Sequence, residues 1–150
     1  MSLSMIAAMS LIALATPPPS ETVTHSVQVD HRGTAHAVTY RGTVDVAHKT
    51  IGMSSALGRA GSQRCLWTGT VQVERHIARA DGGLTHTRPV ARGPLLNGTR
   101  PGDCRIAAAG IEREVAARKA DVHAHVLAVA ERDHADLRAE LDHHDRLAAN

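Results

Sequence analysis

Histidine is the residue this sequence has in excess, 11 in 150. Imidazole ligates zinc, copper and nickel and exchanges protons near neutral pH. To share an ion, helical donors must share a face, which i,i+4 spacing provides. Glu140 and His144 have that spacing, as do Asp121 and His125. His123-Ala124-His125 does not, because two residues along a helix turn the rings about 160° apart. His123 and His134 share a face but stand about 16 Å apart along the axis, too far for one ion. None of these sets reaches the three or four ligands of a zinc site. They read as solvated helix-face histidines, with no metal and no cofactor. The alternative metal pair is Glu140 with His144, shared across a dimer. His25, His36, His48, His76 and His86 are scattered over strand-like segments and read as sheet-edge or surface residues.

Nucleophile chemistry finds no support. Gly52-Met53-Ser54-Ser55-Ala56 lacks the second glycine of a nucleophile elbow, and Gly58-Arg59-Ala60-Gly61 lacks the form of a phosphate loop. The carboxylates near the C-terminus alternate with arginines, as on a solvated face. No catalytic constellation emerges, so the chain reads as a non-enzyme. Nucleic-acid binding is excluded too, since net charge is only +2, the arginines are dispersed and aromatics are 1%. The charge is nevertheless divided: residues 16–102 carry ten basic and five acidic side chains, residues 103–150 seven and ten. Two parts of opposite sign are expected to attract each other within the fold.

The only cysteines are Cys65 and Cys104, an even count with no CxxC. Their expected compartment follows from the N-terminus. Met5 to Leu14 is an uncharged apolar run, closed by Ala13-Leu14-Ala15 and then Pro17-Pro18-Pro19. That is the pattern of a secretory signal peptide over 1–15, followed by a Pro-rich leader over 16–21. It lacks a preceding Lys or Arg, and it is shorter than the roughly 20 apolar residues of a membrane span. The expectation is export to the periplasm or beyond, with no membrane insertion after cleavage. There the pair Cys65 and Cys104 would oxidise. A loop of about 40 residues closed in this way stabilises by about 3–4 kcal/mol in the chain-entropy model.

The elements that must position these groups follow from periodicity. Apolar residues alternate from Val23 to Val29 and from Val38 to Val46, around a turn at Asp30-His31-Arg32-Gly33. Residues 51–63 read as a loop. A third strand starts near Arg64, with Cys65, Trp67, Gly69, Val71 and Val73 on one face. Ala80-Asp81-Gly82-Gly83 makes a hairpin turn, a fourth strand covers about 84–91, and residues 93–102 read as a second loop containing the sequon Asn97-Gly98-Thr99. The single Tyr and the single Trp open a repeated motif, YRGTVDV at 40–46 and WTGTVQV at 67–73. Each ring sits on a core face, two residues before a glycine. A bulky ring beside a missing side chain lets another element press close, and the expected element is Ala107-Ala108-Ala109-Gly110. A ligand pocket around Tyr40 and Trp67 is the functional alternative.

Asp103 is an N-cap, and nothing except Gly110 interrupts a helix from there to about 148. Cys104, Val115, Val126, Leu137 and Ala148 recur every 11 residues and share one stripe. Such a helix is about 65 Å long, more than strands of ordinary length cover. It should therefore break near 131–136 or project with Leu137 and Leu141 uncovered. The expected fold is α+β: a single domain over 22–150, with an antiparallel sheet of about four strands in two hairpins (22–92) and one long C-terminal helix (103–148) across one face. The expected function is a non-enzymatic interaction or self-association module of a bacterial cell envelope, binding a protein partner or its own copy through the C-terminal helix. The alternative is a periplasmic protein that binds a metal or small ligand through histidines or the Tyr40/Trp67 face.

Overall fold

The computed structural model describes residues 22–53, 62–79 and 86–148. The expected signal peptide, the Pro-rich leader, most of the 51–63 loop and the Ala80–Gly83 turn lie outside these residues. The architecture is α+β. Four antiparallel strands, β1 (Thr22–His31), β2 (Thr34–Ile51), β3 (Arg64–Arg79) and β4 (His86–Pro101), form one sheet in the order β1-β2-β3-β4. Two helices, α1 (Cys104–Ala117) and α2 (Lys119–Ala148), pack on one face of it.

β1 and β2 alternate as the sequence predicts, and the pair His31 and Thr34 closes a two-residue turn. Arg32 and Gly33 both have positive φ there, 50° and 80°, which matches the right-handed twist of the flanking strands. The core-facing phase of β2 and β3 buries Val38, Tyr40, Val44, Trp67, Val71 and Val73.

Three expectations need correction. First, residues 93–102 are not a loop, because β4 continues to Pro101 and takes Asn97-Gly98-Thr99 with it. The register with β3 shifts at Gly69/Thr70 and again at Val73/Glu74, next to Pro94 and Pro89. Each bulge resets the alternation, which hides the strand from a period-2 reading. The prolines are tolerated because β4 is an edge. Second, the helix breaks at Arg118 (φ −96°, ψ 20°), not near 131–136. Third, α2 does not project. β2, β3 and β4 have 16–18 residues, about 55 Å at 3.3 Å per residue. Helices of 14 and 30 residues add about 21 and 45 Å, about 66 Å in all, so the strands are long enough to underlie most of their length. Leu137 and Leu141 are buried on the chain's own sheet, each contributing about 1.5–3 kcal/mol.

The glycines beside the two rings serve different neighbours from those expected. Gly42 faces α2, not Ala107–Gly110: a Cβ there would lie 2.5 Å from Val126 Cγ2. Gly69 faces Leu96 and Val44, within the sheet. Trp67 lies across Gly98, its paired neighbour on β4, where a Cβ would come within 2.4 Å of the indole Nε1.

The start of α1 is fixed covalently by a Cys65–Cys104 disulfide. Asp103 Oδ1 accepts the Arg105 backbone N–H at 2.8 Å, and that bond holds its carboxyl below the usual range. The Cys104 backbone N–H donates to Thr50 Oγ1 of β2 at 3.1 Å. None of the described helices is long and apolar enough to cross a membrane.

Candidate functional site

The phase of β3 carries one residue that sequence reading passed over. After Val71 and Val73 the next core-facing position is Arg75, followed by Ile77. Arg75 is only 1% exposed. A buried guanidinium needs anionic partners, and α2 supplies two, seven residues apart on one face. Arg75 Nη1 donates to Asp133 Oδ2 and Nη2 to Glu140 Oε2. Burial by itself would lower the Arg75 pKa, but the Asp133 hydrogen bond and the two negative charges outweigh it and hold the group above its ordinary value. The signal was present in the sequence: a charge in the core phase of a strand calls for opposite charges on the covering element.

Tyr40 pairs with Arg75 across the β2–β3 ladder. Its hydroxyl donates to the same Asp133 Oδ2 at 3.0 Å. Burial, then that hydrogen bond, raises its pKa above the ordinary value, so the phenol stays protonated. Tyr40 and Trp67 are 1% and 2% exposed, so their rings are core and offer a ligand no face. A cleft of about 290 Å³ does open beside Asp133, between β4 and α2, lined by Val90, Ala91, Val129, Arg132, Asp133 and Asp136.

Glu140 is the hub of the cluster. Its Oε2 takes Arg75 and also Arg88 Nη1 at 3.3 Å. Its Oε1 faces two histidines: His86 Nδ1 at 2.8 Å and His144 Nε2 at 4.0 Å. The rings of His86 and His144 lie 5.7 Å apart, tilted by 59°. The i,i+4 residues Glu140 and His144 thus stand 4.0 Å apart, and the sheet adds a third donor that spacing along the helix could not reveal. His86 opens β4 and meets α2 only through the fold. The ligand atoms of His86, Glu140 and His144 all lie within 4.8 Å of one another, and they form the one such group of three His, Cys, Asp or Glu among the described residues. Asp121 and His125 acquire no third donor there. His36, expected at the surface, is buried, only 6% exposed, because it continues the core phase of β2.

Two residues further along, α2 meets the β1–β2 turn. Asp142 Oδ1 lies 2.8 Å from Arg32 Nη2 and 3.1 Å from His31 Nε2, and Asp145 Oδ2 lies 3.5 Å from the same nitrogen. The basic sheet and acidic helix are therefore joined charge to charge at this end of the molecule.

Compared with known protein families, with curated proteins and with solved structures, the chain matches none. The reading of the site rests on its own geometry.

Proposed function

We propose that this is an exported, non-enzymatic binding domain that holds a small charged ligand at the end of the helix–sheet seam centred on Glu140. One observation carries the reading. Around this single carboxylate converge two guanidiniums and two imidazoles, and His86, Arg88 and His144 remain 41%, 58% and 36% exposed. A purely structural ion pair would be satisfied by Arg75 alone. The exposed groups add polar reach toward solvent instead. Support for export comes from the apolar run at 5–14 and from the disulfide, which persists in oxidising compartments. Self-association through α2 has lost its motive, because Leu137 and Leu141 are spent on the chain's own core.

A thermal-shift screen of the oxidised protein against zinc, nickel, copper, phosphate and citrate tests the reading. At least one of these ligands should raise Tm, and His144→Ala should abolish the gain. No stabilisation by any of them at millimolar concentration would refute a small-ion binding role for this end of the seam.

A further inference from the structure

The geometry points to a divalent transition-metal site of zinc class formed by His86 Nδ1, Glu140 Oε1 and His144 Nε2, an inference that rests on the binding role just proposed and names its ligand. Zinc–nitrogen and zinc–oxygen bonds of about 2.0–2.2 Å at tetrahedral angles place ligand atoms about 3.3 Å apart. The separations found, 2.8 Å for His86–Glu140 and 4.0 Å for Glu140–His144, straddle that value. All three atoms lie within 4.8 Å of one another, so His144 must move toward the other two for them to share one ion.

A second observation is the state of the two closest donors. His86 Nδ1 and Glu140 Oε1 are both buried, and neither makes a hydrogen bond among the described residues, despite their 2.8 Å contact. Held 2.8 Å apart, these two atoms are close enough to be bridged by one ion. Glu140 is also pre-oriented. Arg75 and Arg88 occupy Oε2 and leave Oε1 facing the imidazoles, the outer-sphere arrangement that fixes a ligating carboxylate.

Charge selects the metal. Arg75 and Arg88 cancel Asp133 and Glu140, so a dication feels no strong long-range attraction. Affinity must come from coordination bonds. Two imidazoles and one carboxylate favour zinc, copper or nickel. Magnesium and calcium, which need several oxygen ligands and negative charge, should be rejected. Three protein ligands leave a fourth position to water. An ion here would tie the first residue of β4 to the last turns of α2.

The test is calorimetric titration of the full oxidised chain with zinc chloride in a non-chelating buffer, alongside thermal unfolding. The expected result is one zinc per chain, with Tm raised by about 5 °C or more at hundredfold excess over Kd. His86→Ala and His144→Ala should each weaken zinc at least tenfold, and magnesium should give no shift. These two residues are chosen because both are partly exposed, so the variants keep the Arg75 pairing and the fold. Cobalt substituted for zinc should show visible d–d absorption that disappears in His144→Ala. Zinc binding of unchanged affinity in both variants, or no zinc binding, overturns the inference. Stabilisation by phosphate or citrate without zinc binding overturns it as well, while leaving the broader binding role standing.

Discussion

Replacing Arg75 by Met is the sharpest perturbation of this fold. Met roughly conserves the apolar bulk of the side chain, so the change is chiefly one of charge and hydrogen bonding. The Arg75 side chain is 0% exposed, and those of Asp133 and Glu140 are 10% and 12% exposed. Removing the cation leaves two carboxylates with little access to water, one of them still bonded to Tyr40 and the other to Arg88. Breaking one side of a buried pair costs about 3–5 kcal/mol. A domain of this size has about 5–15 kcal/mol in total, so the variant should fold marginally. Urea denaturation at pH 7 should show the midpoint falling with m unchanged. Adding Asp133→Asn and Glu140→Gln to Arg75→Met should recover more than half of the loss. A deficit below about 1 kcal/mol, or one the double neutralisation leaves unchanged, would mean that volume and not charge governs this position.

Tyr40→Phe should cost about 1.5 kcal/mol at pH 7 through the lost bond to Asp133. Because the folded phenol pKa is raised, its stabilisation is intact below the unfolded value near 10 and is lost as pH rises beyond it. Urea melts between pH 8 and 11 should therefore show a steeper alkaline decline in the wild type than in the Phe variant. Gly42→Ala drives a methyl into Val126 and should cost about 1–3 kcal/mol. Its double-mutant cycle with Val126→Ala should give a coupling of about 1 kcal/mol or more, whereas additivity would mean that α2 does not press on this glycine.

Much of the sheet was legible because β1 to β3 keep strict alternation, and the disulfide because only two cysteines exist. β4 was hidden by its two bulges, which shift the phase beside Pro89 and Pro94. The helix looked too long because strands of ordinary length were expected, whereas β2, β3 and β4 have 16–18 residues. From there followed the expectation of an uncovered Leu137/Leu141 stripe. Two of the three candidate ligands could be read from spacing, since Glu140 and His144 are i,i+4. His86 could not, because it lies 54 positions before Glu140 and only the antiparallel return of β4 places it beside α2. Arg75 was legible in principle: its position in the core phase of β3 marked it, and the acidic excess of residues 103–150 supplied its partners.

The two ends of the helix–sheet seam are secured by different chemistry, and the difference bears on function. With one Tyr, one Trp and no Phe, the core is built of Val, Ile and Leu packed against glycines. The disulfide restrains the chain from 65 to 104, which covers β3, β4 and the first residue of α1. It reaches nothing in α2, which starts at Lys119. The last turns of α2 are held by Leu137, Leu141 and the ion pairs to Arg75, Arg88, His31 and Arg32. This part of the fold is therefore held by side-chain packing and ion pairs, with no covalent restraint. Opening would part Glu140 and His144 from His86. An ion bound as proposed would need all three donors, so it would bind only the docked state and stabilise it with the logarithm of its concentration over its dissociation constant.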